Sequence, residues 1–227
     1  MSIHNFNLAW HPLGTLNNPI TSDPLFNKFG VYLWIYIGNP NRIIYVGTAC
    51  SGLGFRGRTA QHVGNAYFGL GSFFRLVETE DPYTYYKKLG SDFFALVHQR
   101  QLYSPAYPHT FGDWERKEIN DFLSKVELWV CPVENNENFK TKEVAKYLET
   151  QIQYVLKKAF KLTYGECDKS NNSWLGKMEH LYKTDLIDYK FYFSNFPNLD
   201  THEISLLKNL TDYIDKDPST RGKIIRE

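Results

Sequence analysis

The 227-residue sequence lacks the cysteine pattern of a disulfide-stabilised or zinc-binding protein. Its three cysteines, Cys50, Cys131 and Cys167, lie far apart and form no Cys-x-x-Cys pair. This spacing excludes a disulfide framework and a structural zinc cluster. Free cysteines usually behave as small hydrophobic side chains, so we expect reduced thiols that are buried or incidental.

A strong charge excess and a long apolar segment are also missing. The formal net charge is +1, which counts mildly against nucleic-acid binding and would require any such surface to gather its positive charge on one face. Residues 1–14 contain no charged segment followed by an apolar run, and no stretch approaches the length that crosses a bilayer. We therefore expect a cytoplasmic protein with no signal peptide and no membrane partner.

Aromatic side chains, by contrast, are abundant: 16 Tyr, 16 Phe and 5 Trp. Hydrophobic residues make up 42% of the chain, which is enough for a well-buried core and argues against wholesale disorder. Aromatic rings fill cores and interfaces, and they also stack on bases. Composition alone leaves both uses of these rings open.

Two neighbouring apolar runs predict a β-hairpin. Residues 29–37 and 42–47 are apolar and aromatic stretches of strand length, and the Gly-Asn-Pro-Asn segment 38–41 between them is a strong turn signal. Residues 48–57 hold three glycines and predict a loop. A helix is expected to begin at Arg58.

Later segments predict further helices and a third strand. Residues 114–123 have helical spacing, and residues 126–133 form another apolar run of strand length. Thr141 is a candidate N-cap for a long helix reaching about Phe160, and residues 203–214 show a helical pattern. The apolar stripe of the long helix is Val144, Leu148, Ile152, Val155 and Leu156.

These elements predict an α+β fold: a small, mainly antiparallel sheet of three or more strands, flanked by helices and carrying insertions. Residues 1–28, rich in Asn, Pro and Thr, are expected to form an extended arm wrapped on the domain. The domain itself is assigned to residues 29–178, with an insertion at about 64–124. Residues 179–227 are a C-terminal extension.

The hairpin carries two tripeptides in a fixed order. Residues 30–32 read Gly-Val-Tyr on the first strand, and residues 45–47 read Tyr-Val-Gly on the second. Arg58 and His62 follow one helical turn apart, and Glu149 lies in the later long helix. Taken together, in this order and on these elements, the motifs resemble those of the GIY-YIG nuclease superfamily.

Two alternatives have to be weighed inside this pattern. Residues 36–38 read Tyr-Ile-Gly, but they lie on the first strand, where no turn separates them from the first tripeptide. Residues 45–47 are therefore interpreted as the functional copy. Arg56 competes with Arg58, and Arg58 is preferred because His62 lies one turn away on the same helix face. Arg56 is expected to reach a substrate phosphate or solvent.

The resemblance implies a Mg²⁺-dependent endonuclease that hydrolyses DNA phosphodiester bonds, with Mn²⁺ as a substitute. Glu149 would hold the ion, which suits a metal that keeps most of its waters. Arg58 would contact the non-bridging phosphate oxygens. Tyr32, Tyr45 or His62 would position or deprotonate the attacking water, and the sequence leaves the choice among the three open.

Among family roles, a stand-alone restriction-type enzyme fits best, because no zinc finger or helix-turn-helix array is recognisable. Such an enzyme would act on double-stranded DNA, and cutting a symmetric site would suit a homodimer. Substrate contacts are expected at Arg56, at Asn172 or Asn171, and at Lys87 and Lys88 in the insertion, which could equally form an extra apolar layer or a dimer interface. The alternatives are a non-catalytic nucleic-acid-binding protein of the same fold and a chance match in an unrelated compact protein.

Overall fold

The computed structural model describes seven strands and four α-helices in residues 3–38, 41–50, 52–67, 113–134, 140–159, 188–199, 201–208 and 210. The strands are β1 (Ile3–Ala9), β2 (His11–Thr15), β3 (Asn18–Pro19), β4 (Gly30–Tyr36), β5 (Arg42–Ala49), β6 (Val126–Pro132) and β7 (Asp188–Ser194). The helices are α1 (Gly54–Tyr67), α2 (Asp113–Ser124), α3 (Thr141–Ala159) and α4 (Thr201–Lys208), and a 3₁₀-helix occupies Pro24–Asn27.

The main sheet has five strands in the order β3-β2-β6-β4-β5, and every neighbouring pair is antiparallel. A smaller sheet pairs β1 with β7 in parallel. The predicted α+β class and the predicted mainly antiparallel sheet of three or more strands are confirmed. No helix in the described part of the chain is both long enough and apolar enough to cross a membrane.

Burial on both faces explains why the sequence of β4 is apolar without alternation. Val31, Leu33 and Ile35 belong to one hydrophobic core, and Tyr32 and Trp34 belong to a second core on the opposite face. The strand lies between β5 and β6, and helices α1 and α3 both contact it. Tyr32 on this strand is therefore buried in the interior of the domain.

Helix α3 covers the first face. Val144, Leu148 and Ile152 are fully buried there, at the four-residue spacing that forms one stripe of a helix. Burying each such aliphatic side chain stabilises the fold by about 1.5–3 kcal/mol. The side chains of Val155 and Leu156, predicted for the same stripe, lie outside the described part of the structure.

The segment predicted as an N-terminal arm is extended, but it contributes to the sheet instead of only wrapping on the domain. Strand β2 pairs with β6, and β3 pairs with β2. Strand β1 pairs with β7, which belongs to the predicted C-terminal extension. Pro12 and Gly14 interrupt the five residues of β2, so the sequence of this segment shows no sustained apolar–polar alternation. The expected domain boundary at residue 28 separates strands that belong to one sheet.

Several predicted boundaries differ from the observed ones. Helix α1 begins at Gly54 instead of Arg58, and β5 continues to Ala49, so the expected glycine-rich loop is short. Helices α2 and α3 and strand β6 agree with the sequence prediction to within one residue at each end. The predicted substrate contacts Lys87, Lys88 and Asn172 lie outside the described residues, as do Asn171 and Cys167.

The two cysteines in the described part of the chain are free, as the sequence predicts. Cys50 is half-buried and Cys131 is buried. Burial raises the pKa of the Cys131 thiol, and burial together with the nearby Glu149 carboxyl raises the pKa of Cys50 to about 11. Both thiols are therefore neutral at physiological pH.

Candidate active site

The register of the β4–β5 hairpin brings two tyrosines together on one face of the sheet. Tyr32 lies opposite Gly47, and Tyr45 lies opposite Trp34. The rings of Tyr32 and Tyr45 stack with centroids 5.8 Å apart, and both side chains are buried. Residues 36–38, the alternative Tyr-Ile-Gly copy, lie at the other end of β4.

Gly47 makes this pairing of rings sterically feasible. A Cβ atom at residue 47 would lie 2.5 Å from Tyr32 Cζ and 2.7 Å from Tyr45 Cε1, much closer than carbon atoms pack. Both rings are held inside a core and have little room to retreat. The glycine of the second tripeptide is therefore explained by the volume that the two tyrosines occupy.

The substitution Gly47→Ala is accordingly expected to destabilise the protein by about 1–3 kcal/mol, as overpacking of a core does, and to displace Tyr32 from its partners. Thermal unfolding measures the first effect, and a DNA-cleavage assay measures the second. Gly64→Ala is the matched control, because nothing lies within 4 Å of its added Cβ and residue 64 is helical. That control should be neutral or slightly stabilising, and equal stability of the two variants would contradict the packing explanation.

Helix α1 places Arg58 and His62 against the Tyr32 hydroxyl. Arg58 Nε donates to Tyr32 Oη over 3.4 Å, and Tyr32 Oη lies 2.8 Å from His62 Nε2. Because the phenol oxygen accepts from the guanidinium, its own proton can be donated to His62 Nε2 when that nitrogen is unprotonated. The arrangement links a cation, a phenol and an imidazole in one hydrogen-bonded series.

Aromatic rings hold the imidazole of His62 in place. Its ring centroid lies 4.9 Å from that of Trp34 and 5.4 Å from that of Tyr45, both in edge-on geometry. The helix that carries His62 is anchored by the buried side chains of Phe55 and Thr59. The strand residues and the anchored helix together restrict the orientation of the His62 ring.

Burial keeps both phenols in the neutral form. It raises the pKa of Tyr32 well above its ordinary value and also raises the pKa of Tyr45. The positive charge of Arg58 lowers both pKa values, but by less than burial raises them. A phenolate at neutral pH would need further positive charge beside the tyrosines.

Glu149 reaches the same region from α3, on the opposite face of the sheet. Thr48 Oγ1 donates to Glu149 Oε2 over 3.3 Å. Burial raises the pKa of the Glu149 carboxyl to about 7, although Thr48, Arg58 and Lys146 each act to lower it. Within the described residues β5 is the last strand of the main sheet, and the Arg58 charge is near enough to the carboxyl to lower its pKa.

The carboxyl of Glu149 fits the requirement for a single metal-binding carboxylate. No cation lies within ion-pair distance of it in the described residues, so burial leaves its negative charge poorly compensated. The same part of the chain holds no group of three or more His, Cys, Asp or Glu side chains that could enclose a metal. Mg²⁺ commonly uses one or two carboxylates and keeps its waters.

Arg56 lies apart from this group. Its Nη2 donates to the Thr21 carbonyl over 2.7 Å, its Nε donates to Asn27 Oδ1 over 3.0 Å, and the guanidinium lies over the Phe26 ring. These contacts fix the N-terminal segment to α1. A phosphate contact by Arg56 stays a prediction, and its hydrogen bonds here serve the fold.

Three residues near the site were missed in the sequence. Thr48 hydrogen-bonds the carboxyl of Glu149, and Trp34 packs on His62. Lys146 lies one turn before Glu149 on α3 and lowers its pKa. The three-residue spacing of Lys146 and Glu149 could have been noticed. Trp34 looks like an ordinary strand residue, and Thr48 falls in the segment predicted as a loop.

The structure thus brings together five of the residues that the sequence singled out: Tyr32, Tyr45, Arg58, His62 and Glu149. They lie on three elements, the β4–β5 hairpin, α1 and α3, and both helices contact the hairpin. No family model, no curated protein and no solved structure matches the chain, so the geometry of this cluster carries the functional argument.

Proposed function

We propose that the chain is a Mg²⁺-dependent endonuclease that hydrolyses phosphodiester bonds of double-stranded DNA. The observation that carries the proposal is the arrangement of Arg58, the tyrosine–histidine series and the Glu149 carboxyl around the β4–β5 hairpin, where the charges of Arg58 and Glu149 act on each other and on Tyr45. Hydrolysis of a phosphodiester needs a positioned water, neutralisation of phosphate charge and help for the departing oxygen. The cluster contains side chains suited to each of these tasks.

Arg58 is assigned to the phosphate. Its guanidinium is permanently charged and can bind two non-bridging oxygens at once. The hydrogen bonds to Tyr32 Oη and Gln61 Oε1 hold it in a defined orientation before substrate arrives. A pre-oriented cation loses little entropy on binding and stabilises the charge that develops in the transition state.

The attacking water is assigned to the tyrosine–histidine series. His62 Nε2 lies at hydrogen-bond distance from Tyr32 Oη, so a proton leaving the phenol has an acceptor 2.8 Å away. This relay removes the need for a free phenolate, which burial makes unfavourable. We assign Tyr32 as the group that contacts the water, His62 as the proton acceptor behind it, and Tyr45 as the ring that positions both.

Glu149 is assigned to the metal ion. A bound Mg²⁺ supplies positive charge at the phosphate and at the leaving 3′ oxygen. The carboxyl of Glu149 must be ionised to bind it, and Thr48 Oγ1 fixes one of its two oxygens. Lys146 and Lys142, one turn apart on α3, add positive charge near Glu149 and Cys50, which would attract the phosphates of bound DNA.

The restriction-type role belongs to the same proposal. Strands β2 and β3 extend the sheet of the hairpin through β6, and the separate β1–β7 sheet packs into the same hydrophobic core as β4, which agrees with a catalytic domain embellished in place. Cleavage of both strands at a symmetric site would then use two copies of the chain. Discrete fragments would support this role, and random fragments would limit the proposal to a nuclease.

Cleavage is expected to rise as pH increases from about 6 to 8, because the pKa of Glu149 is raised to about 7 and only the ionised carboxyl binds the metal. Protons and Mg²⁺ compete for the same oxygens, so a higher Mg²⁺ concentration should move the midpoint of the profile to lower pH. Single-turnover rates at two Mg²⁺ concentrations measure this shift. A midpoint that ignores Mg²⁺ would assign the titration to another group.

The experiment that tests the function is incubation of the protein with supercoiled plasmid and phage DNA in Mg²⁺, Mn²⁺ or EDTA. Metal-dependent nicking or cutting is the expected result. Binding without cleavage under either metal would favour a nucleic-acid-binding protein that keeps the fold but not the chemistry. A lack of DNA affinity even at low salt would contradict both functions.

A further inference from the structure

The turn before α1 projects a large apolar side chain into solvent. Leu53 is 66% exposed, the highest value among the exposed large hydrophobic residues of the described chain. It stands between Gly52 and Gly54, both with φ of +62°, a left-handed conformation that side-chain-bearing residues rarely adopt. Leu53 is therefore flanked on each side by a glycine with a left-handed backbone conformation.

Residues next to Leu53 fix the turn to the rest of the domain. Phe55 is buried, and its N–H donates to the Lys28 carbonyl over 3.0 Å. A Cβ at residue 54 would collide with that carbonyl, so only glycine permits the close approach. The backbone carrying Leu53 is thus fixed against the start of β4, where Phe29 is also 39% exposed.

This turn lies beside the candidate active site. Thr48 hydrogen-bonds the Glu149 carboxyl, Cys50 follows two positions later, and Leu53 comes three positions after Cys50. An extended chain of that length spans no more than about 11 Å. Arg58 follows five residues later on the helix that the turn opens. A phosphate held by Arg58 would place neighbouring base steps, which stack about 3.4 Å apart, within reach of Leu53.

We propose that Leu53 inserts as an apolar wedge between base pairs of duplex DNA next to the phosphate held at the site. Apolar side chains that enter a base step unstack it and bend the duplex, and the bend increases contact with the protein. In DNA, the apolar faces of the bases lie beside a charged phosphate backbone. An apolar side chain next to a charged site therefore matches this arrangement. The inference rests on the proposed function, because it uses the site as the anchor for the phosphate.

The wedge is tested with duplexes that carry 2-aminopurine, a base whose fluorescence rises when it is unstacked. The probe is placed in turn at positions flanking a wild-type cut or, if the protein binds without cutting, across its footprint. Measurements are made in EDTA, so that the DNA stays intact. Wild type and Leu53→Met should raise the fluorescence at one or two adjacent positions, and Leu53→Ala should not. Leu53→Ala should also weaken binding roughly threefold to tenfold, from the loss of apolar contact.

Ile37→Ala is the matched control. Ile37 is another exposed aliphatic residue, 41% accessible, but it follows the opposite end of β4, roughly 20 Å from the turn. Its variant should behave as wild type. Unchanged melting temperatures for both alanine variants establish that each is folded.

The outcomes distinguish failure of the wedge proposal from failure of the proposed nuclease function. Binding by wild type with no local fluorescence rise, or an equal rise with Leu53→Ala, would overturn the wedge and leave the nuclease proposal intact. An effect of Ile37→Ala equal to that of Leu53→Ala would also overturn it. Failure of wild type to bind duplex DNA would overturn the wedge and the function together.

Discussion

The substitution Glu149→Gln is expected to lower Mg²⁺-dependent cleavage by about a thousandfold or more, since a metal ion supplies several kcal/mol of transition-state stabilisation and each 1.4 kcal/mol is tenfold in rate. Glutamine keeps the size of the side chain and can still accept from Thr48 Oγ1. It lacks the negative charge that holds the ion. DNA binding in EDTA should be retained or improved, because an acid has been removed from the DNA-binding side.

The same substitution should stabilise the protein at alkaline pH. The folded-state pKa of Glu149 is about 7, above the ordinary value of 4.5, so the folded protein holds this proton more tightly than the unfolded chain. The stability that this gives is fully present below about pH 4 and is lost as pH rises through 7. Glu149→Gln removes that loss and should raise the free energy of unfolding by roughly 1–3 kcal/mol at pH 8, with little effect at pH 4.

Two measurements check this pair of effects. Single-turnover cleavage compares the rates of the two proteins, and thermal unfolding in EDTA at pH 4.5 and pH 8 compares their stabilities. Adding Mg²⁺ at pH 8 should stabilise wild type and leave the variant unchanged, because a ligand that binds only the folded state raises stability. A variant that is less stable than wild type at pH 8, and equally responsive to Mg²⁺, would remove Glu149 from the metal site.

Truncation of Arg58 is expected to lower cleavage, whereas truncation of Arg56, two residues earlier, is expected to lower stability. Arg58→Ala should lower cleavage by about a hundredfold to a thousandfold, the usual cost of losing a preorganised charge at the transition state. Arg58→Lys should recover only part of it, because an ammonium cannot bind two oxygens as a fork. Arg56→Ala should leave cleavage within a few fold of wild type and lower stability by about 1 kcal/mol, since its guanidinium bonds Thr21 and Asn27.

The comparison of these variants decides which arginine serves the reaction. Cleavage rates and melting temperatures are measured for all three on the same DNA. A larger loss of cleavage from Arg56→Ala than from Arg58→Ala would reverse the assignment. Arg58→Ala would also remove the positive charge that lowers the pKa values of Tyr32 and Tyr45, so both pKa values should rise further.

The β4–β5 hairpin was predictable because its sequence signals are local. The two apolar runs and the Gly-Asn-Pro-Asn turn specify β4 and β5 to within about two residues, and the long stripe of α3 is specified by its spacing. Strands β2 and β3 were not predictable. Their pairing partner β6 lies more than a hundred residues later, and Pro12 and Gly14 obscure the alternation of β2.

The site was predictable in its members but not in its geometry. Order and spacing selected Tyr32, Tyr45, Arg58, His62 and Glu149. The sequence left open which of Tyr32, Tyr45 and His62 acts on the water, and the hydrogen bond between Tyr32 Oη and His62 Nε2 depends on the hairpin register and on the position of α1. The opposite-face approach of Glu149 and the support from Thr48 depend on tertiary packing.

The chemistry of the product ends tests the central claim most directly. End-labelled duplex DNA is incubated with wild type and with Glu149→Gln in Mg²⁺, and the fragments are tested for re-joining by a ligase that requires a 3′ hydroxyl and a 5′ phosphate. Wild type should give fragments that re-join, since the metal and Arg58 serve a leaving 3′ oxygen, and Glu149→Gln should give none. Absence of fragments from wild type under Mg²⁺ or Mn²⁺, or equal cutting by both proteins, would contradict the assignment of this cluster as a phosphodiester-hydrolysing site.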